Sequence, residues 1–363
     1  MLSERIYNFS SGPAVLPDSV LAKAREEMLS YGGIGMSVME ISHRSPEFEA
    51  VLESAKMGIR DLLLIPENYQ ILFLQGGASL QFSMVPMNFL SAGSSADYVI
   101  TGAWGEKALI EAKRCGKTNV IHSTAENGYK SVPNQDELRI TPDARYIHYV
   151  SNETIDGVEF AFDLNGYGTP VVCDASSNIL SKPIDIDKYA LIYAGAQKNI
   201  GPSGVTVVIV RDDFLETAPA SQHSMLDYRN FAKQGSMPNT PNTWGIYIIG
   251  LVCEWLKFEG GLSSMKERKE DKAAILYDAI DSSDGFYSGH ADRNARSRMN
   301  VTFRLATEDL ENRFCGEALA NGLNGLKGHR SVGGIRASIY NAFPKDGVKA
   351  LTDFMSDFAV RNS

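Results

Sequence analysis

Six short runs rich in β-branched and aromatic residues, Ile71–Leu74, Tyr98–Ile100, Tyr146–Val150, Val171–Cys173, Leu191–Tyr193 and Val205–Val210, are apolar at successive positions, without strict alternation with polar ones. A strand with one solvated face alternates; one that is apolar throughout is covered on both faces, so these runs predict a mostly parallel sheet. Helical stretches such as Glu106–Arg114 separate several of them, giving the βαβ pattern of an α/β fold with helices on both sides. Ahead of the first run, Pro17-Asp18-Ser19 opens a helix with Val20, Leu21, Ala24, Met28 and Leu29 on one face, ended by Gly32-Gly33. Phe48, Val51, Leu52, Ala55, Ile59 and Leu62 mark a second amphipathic helix over Glu47–Leu63.

The texture then changes. Residues 214–245, with Pro219, Gly235, Pro238 and Pro241 and no long apolar run, read as an extended functional loop or a subunit contact. An apolar helix resumes at Ile246–Phe258. After Gly260-Gly261 the pattern is helix, strand Met299–Phe303, helix, strand Gly333–Ile339, and a last helix from Asp346 with Val348, Leu351, Phe354, Met355 and Phe358 on one face. A chain of 363 residues exceeds the size at which one core stops growing. We expect a large domain over 16–258 and a small α+β domain built from 1–15 and 259–363.

A formal net charge of -9 argues against nucleic-acid and anionic-membrane partners, which need a basic field. Cys115, Cys173, Cys253 and Cys315 are far apart and form no CxxC pair, so buried thiols in a reducing compartment are expected, with neither disulfides nor a metal site. The first residues lack a basic-then-apolar leader, and no apolar stretch approaches the roughly 20 residues of a membrane span. A soluble cytoplasmic protein is the expectation.

Chemistry concentrates where the apolar runs end. Lys198 follows Leu191–Tyr193 in Ala194-Gly195-Ala196-Gln197-Lys198-Asn199-Ile200-Gly201-Pro202, a position that partly desolvates an ammonium and lowers its pKa toward the nucleophilic amine. Imine formation with an aldehyde is the matching chemistry. Asp174 closes the run Val171–Cys173 and is either a turn cap or a carboxylate facing a cofactor. Gln75-Gly76-Gly77-Ala78-Ser79 leaves Ile71–Leu74 as a glycine turn into a helix, which is a phosphate cradle or only a turn. Trp104 is a packing residue or a ring platform. Asn152-Glu153-Thr154-Ile155-Asp156-Gly157 offers hydroxyl and amide groups after Tyr146–Val150. Two His-Arg pairs, His43-Arg44 and His329-Arg330, with Arg336 six residues beyond the second, are scattered surface charge or parts of a site for an anionic substrate.

The order of these features, and the strings Asn8-Phe9-Ser10-Ser11-Gly12-Pro13, Ser37-Val38-Met39-Glu40-Ile41-Ser42-His43-Arg44, Asn152 to Gly157, Tyr193 to Pro202 and Lys327 to Asn341, resemble the phosphoserine aminotransferases over nearly the whole chain. These are pyridoxal-phosphate enzymes of fold type I. The resemblance implies a large domain with a mostly parallel seven-stranded sheet covered by helices, plus the small α+β domain. It implies that Lys198 forms the imine with pyridoxal 5'-phosphate, Asp174 pairs with the pyridine nitrogen, Trp104 stacks on the ring and Thr154 contacts its phenolic oxygen. Ala78, Ser79 and Gln197 would hold the cofactor phosphate, joined by the partner subunit's Asn239 and the partner subunit's Thr240 in a homodimer. Some family members carry Gly-Arg where this chain has Ala78-Ser79, so an arginine contribution is missing here.

At the substrate end the resemblance places Arg336 on the α-carboxylate, and His43, Arg44, His329 and Arg330 on a distal phosphate or carboxylate, with Ser11 among the substrate-binding residues. The implied reaction moves the amino group of glutamate to 3-phosphohydroxypyruvate, yielding 2-oxoglutarate and phosphoserine, with 4-phosphohydroxythreonine as a further candidate substrate. Two rivals stand beside it. A cysteine desulfurase or lyase of the same architecture needs an activated thiol, for which Cys315, in a helix-like segment without a neighbouring cation, is the late candidate. A cofactor-free lysine-imine aldolase, or a binding protein that kept only the fold, is the other.

Overall fold

In the computed structural model, which describes residues 5–219 and 222–362, all six apolar runs are strands of one seven-stranded sheet. In chain order these are β1 (Tyr69–Leu74), β2 (Ser95–Ile100), β3 (Lys117–Ser123), β4 (Ile147–Val150), β5 (Val171–Asp174), β6 (Leu191–Gly195) and β7 (Thr206–Arg211). They lie side by side as β1-β7-β6-β5-β4-β2-β3. β7 is antiparallel to both neighbours and every other pairing is parallel, so six strands point one way.

The missing alternation has its cause in two separate cores. Ile71, Phe73, Ile147, Tyr149, Val171, Cys173, Val207 and Ile209 face one side, against helices α2 (Pro46–Leu63) and α5 (Thr243–Phe258). The intervening Leu72, Leu74, Val172, Val208 and Val210 face the other, against α3 (Gly77–Phe89) and α4 (Ala103–Ala112). A strand sandwiched in this way must be apolar at odd and even positions alike. α2 and α5 meet so closely that a Cβ on Gly58 would stand 2.5 Å from Cys253 Cβ.

β3 was not among the apolar runs. It is the outer edge of the sheet and buries none of its seven residues, so Lys-Thr-Asn-Val-Ile-His-Ser carries no continuous apolar pattern. The first helix, α1, spans Asp18–Glu26, short of the expected stop at Gly32-Gly33, and Leu29 is exposed because the chain has left the helix by then. Residues 214–245 are less extended than expected: short helices at Asp212–Leu215 and Tyr228–Lys233 bury Phe214, Leu215, Tyr228 and Phe231 against the second core. Four anchors spread over 18 positions leave no periodic trace.

The remaining chain forms a third core. Helices α6 (Gly261–Asp281), α7 (Glu308–Ala320) and α8 (Lys345–Asn362) pack on an antiparallel sheet of Ser288–Gly289, β8 (Asn300–Arg304) and β9 (Ile335–Ser338). Tyr7–Asn8 pairs with Leu323–Asn324, and Phe9 lies inside this core. Its junction with the segments that follow β4 and β5 is polar and buried. Lys269 Nζ of α6 donates to Glu159 Oε1 and to Ser181 Oγ, each at 3.2 Å, and Arg298 N donates to Glu159 Oε2 at 2.9 Å. Removing one partner strands a buried charge, so Glu159→Ala should lose about 3–5 kcal/mol in denaturant unfolding. A loss below about 1 kcal/mol, the scale of an exposed pair, would show that water reaches the junction.

Candidate active site

Parallel strands open their carboxyl ends along one edge, where ligands of open α/β sheets bind. The segments after β1, β2, β4, β5 and β6 carry Ala78 and Ser79, Trp104, Thr154, Asp174 and Lys198. Lys198 Nζ donates to Thr154 Oγ1 at 2.5 Å and lies 5.4 Å from the centre of the Trp104 ring. Burial lowers the lysine to about 8, and the carboxylates of Asp174 and Glu153 limit the fall. Asp174 is itself raised by burial, against the pull of Lys198 and Ser176. Its Oδ1 accepts the Ser176 N–H at 2.9 Å, a turn contact with no helix behind it, so capping accounts for one carboxylate oxygen only.

Two carboxylates that sequence reasoning passed over organise Trp104. Glu153 Oε1 and Oε2 accept the N–H groups of Gly105 and Trp104 at 2.8 and 3.1 Å, and Asp156 Oδ2 accepts that of Ala103 at 3.3 Å. They cap α4 from the segment after the neighbouring strand β4, which moves its start to Ala103, three residues before the expected Glu106. Room for them depends on Gly102, where a Cβ would stand 2.5 Å from Asp156 Oδ2 and from Glu153 Cδ. Burial pushes Glu153 up to about 8 and Asp156 to about 6. The visible trace was a pair of acids three residues apart directly after a buried strand.

Along the same edge, Gly76 takes a left-handed conformation (φ 90°) and starts α3, so Gly77, Ala78 and Ser79 form the first turn, whose amides have no partner within a helix. Gln75 Nε2 donates to Thr240 O at 3.2 Å, which sets Asn239-Thr240 of the same chain beside this turn. Gln197 occupies the space beside Gly195, where a Cβ would be 2.8 Å from its Oε1.

Arg336, on β9, reaches in from the third core. Its Nη2 donates to Ser11 Oγ at 2.6 Å and its Nη1 to Thr154 O at 3.4 Å, while Nε is buried without a partner. Arg336, His329, His290 and Asp156 line a cavity of about 260 Å³. His329 Nδ1 contacts Ser331 Oγ at 2.7 Å, and the ring is held below the ordinary histidine value by burial and by Arg336, Lys107 and Arg330. Arg330 itself is exposed and lines an adjoining cavity with Lys327 and Cys315. His43 and Arg44 do not line the Arg336 cavity; they lie in the loop before α2, with His43 Nε2 buried and unpartnered and Arg44 exposed. One chain therefore assembles Lys198, Asp174, Thr154, Trp104, Ser11, Arg336 and His329, and leaves His43-Arg44 apart.

This set fits pyridoxal phosphate: an amine of lowered basicity, a buried carboxylate with an oxygen to spare, an aromatic platform and a helix N-terminus for the phosphate. Among the described residues no group of three or more histidine, cysteine or acidic side chains could hold a metal, and no helix is long and apolar enough to cross a membrane. The four thiols are free; Cys173 and Cys253 are buried, whereas Cys115 and Cys315 are only partly so. A cation does approach Cys315, since Lys327 lies near it, but burial outweighs that pull and raises the thiol.

Comparison with known proteins points the same way. The model of the aminotransferase class-V family matches residues 6–351. A phosphoserine aminotransferase of Laribacter hongkongensis is 54% identical over 357 residues, covering 98% of this chain and 99% of that protein. The phosphoserine aminotransferase structure from Bacillus circulans subsp. alkalophilus superposes with a TM-score of 0.98 at 48% identity, covering 99% of this chain and 100% of that one. That from Trichomonas vaginalis, described as bound to PLP, gives 0.92 at 39% identity, covering 97% and 100%. The fold-type I architecture is thereby established. Since only the neutral amine attacks an aldehyde, uptake of pyridoxal phosphate by the cofactor-free protein should accelerate with pH and reach half its maximal rate near 8, well below the ordinary lysine value of 10.5. Stopped-flow absorbance checks this, and a midpoint above about 10 would mean that burial leaves the lysine untouched.

Proposed function

Because the chain belongs to the class-V aminotransferase family, within its phosphoserine aminotransferase branch, we propose one reaction for it and one set of roles. Glutamate gives its amino group to 3-phosphohydroxypyruvate, leaving 2-oxoglutarate and O-phospho-L-serine, with pyridoxal 5'-phosphate as cofactor. 4-Phosphohydroxythreonine, one CHOH longer, presents the same two anionic ends. The observation that carries the reading is the buried Lys198 amine, 2.5 Å from Thr154 Oγ1, with Arg336 anchored on the Thr154 carbonyl at 3.4 Å. A reacting amine and a carboxylate receptor thus meet at one residue.

When bound, pyridoxal phosphate supplies an aldehyde that condenses with amines and a ring that accepts the electron pair left when the α-proton departs. The chain supplies everything else. Ala78 and Ser79, at the start of α3, would hold the phosphate with Gln197; Trp104, seated by Glu153, would orient the ring; Asp174 would retain a proton on the ring nitrogen. Arg336 grips the α-carboxylate. Lys198 Nζ, neutral in a substantial fraction near pH 8, would take the proton from the substrate α-carbon as a base and then give it back as an acid.

The distal phosphate falls to His329 and Arg330, beside Lys107. In the free site these cations depress His329, and a phosphate dianion would offset that repulsion and favour the protonated donor. His43 and Arg44 lie apart from the cavity of their own chain, which supports a homodimer in which they complete the partner's site; Asn239-Thr240, beside the Gln75 turn of their own chain, carry no such support. The free thiols support a cytoplasmic setting. Lys198→Ala should bind pyridoxal phosphate yet lose turnover by at least about a hundredfold, because both proton transfers leave with the amine. A mutant with near-normal rates, followed by coupled assay of 2-oxoglutarate formation, would remove Lys198 from its role.

A further inference from the structure

The carboxylate receptor is held by a relay that begins outside the reacting groups. Arg336 leans on Ser11 Oγ, and the Ser11 carbonyl accepts the phenol of Tyr340 at 2.8 Å. Tyr340 is 1% exposed. Its oxygen also accepts Asn300 Nδ2 at 3.1 Å, which commits the phenolic proton to Ser11. Asn300 is fixed in turn: Nδ2 donates to Ser338 Oγ at 2.9 Å, and Oδ1 accepts Asn152 Nδ2 at 2.8 Å. Asn152 stands two residues before Thr154, so the relay starts and ends on the walls of the site.

The turn that carries Tyr340 is anchored from three sides. Lys272 Nζ, buried in α6 and pushed down to about 7 by burial, donates to the carbonyls of Tyr340 and Phe343 at 2.6 and 2.9 Å. Asn341 N donates to Asn199 Oδ1 at 2.9 Å, next to Lys198, and Asn341 Nδ2 to Leu180 O at 2.7 Å. On the far side of Ser11, Gly12 (φ 148°) abuts the lysine stem: a Cβ there would lie 3.3 Å from Lys198 Cγ. The Ser11-Gly12 strap is therefore wedged between the arginine and the lysine, and the phenol sets its position.

Resting on the substrate reading above, we infer that Tyr340 is a positioning residue for carboxylate recognition, holding the Ser11 carbonyl so that the Ser11 hydroxyl turns the Arg336 guanidinium toward its ligand. Ser11 and Thr154 each take one guanidinium N–H, and the unpartnered Nε–H is among the donors left for a carboxylate. Every substrate of the reaction carries that carboxylate, so the effect of Tyr340 falls on all of them equally.

Tyr340→Phe removes one hydroxyl from the holoenzyme and keeps the ring. KM for glutamate and for phosphoserine should rise together by about threefold to tenfold, the worth of one net hydrogen bond, with kcat changed by less than about twofold. The dissociation constant of glutarate, a dicarboxylate with no amino or keto group, should rise by the same factor. In a Tyr340→Phe, Ser11→Ala double mutant the losses should not add, since both changes cut one relay. Unchanged KM and glutarate binding, a fall in kcat alone, or additive losses would each overturn the inference. Arg336→Gln separates the levels: if it leaves KM and glutarate binding intact, the carboxylate reading itself fails; if it weakens both while Tyr340→Phe weakens neither, only the role of Tyr340 falls. Should Tyr340→Phe not fold, Asn300→Ser, which withdraws the donor to the phenol, carries the same expectations.

Discussion

One ammonium, that of Lys198, has to be removed from water without being stripped of all support, and the rest of the site answers to that constraint. Fully solvated, it would stay protonated and inert; buried alone, it would be neutral but unplaced. Here burial draws it to about 8, Asp174 and Glu153 keep the proton within reach, and Thr154 fixes the direction of the nitrogen. Both acids are buried and raised in turn, Glu153 to about 8 and Asp174 against the pull of Lys198, so the three groups lie together in a region of low dielectric.

Such a cluster needs a rigid frame, and the parallel sheet provides it. Six strands end at one edge, and five of them, with the loops that follow, deliver side chains far apart in sequence to one place, while two apolar cores keep the strands from shifting. The third core then closes the site from above through Arg336. In an acidic protein, the cations at that end form a local field that distant charges, screened beyond about 10 Å, do little to cancel.

Much of this was legible in the residues. The six buried strands were visible because a two-faced strand has to be apolar throughout, and Asp174 and Lys198 were visible because one ends such a strand and the other comes three residues after one. β3 was hidden because, unlike β1 at the opposite edge, it buries none of its residues, and the stripe of α1 overran because Met28 and Leu29 continue its spacing after the helix has ended at Glu26. The start of α4 was hidden for another reason: its caps, Glu153 and Asp156, come from about fifty residues away, whereas capping rules look at neighbours. The Tyr340-to-Ser11 contact, 329 residues apart in sequence, has no local trace at all. What a sequence exposes is periodicity and adjacency; what it conceals is who meets whom across a junction.

The site's assignment is that of a buried lysine working on amino acids that bear a distal phosphate. It is tested most directly by loading the protein with pyridoxal phosphate and following its visible absorbance after adding phosphoserine, or serine, with no keto acid present. Phosphoserine alone should convert the lysine-bound absorbance to that of the aminated cofactor, at concentrations where serine leaves it unchanged. Equal conversion by serine would contradict the phosphate end of the site, and no lysine-bound absorbance after loading would contradict the role of Lys198 itself.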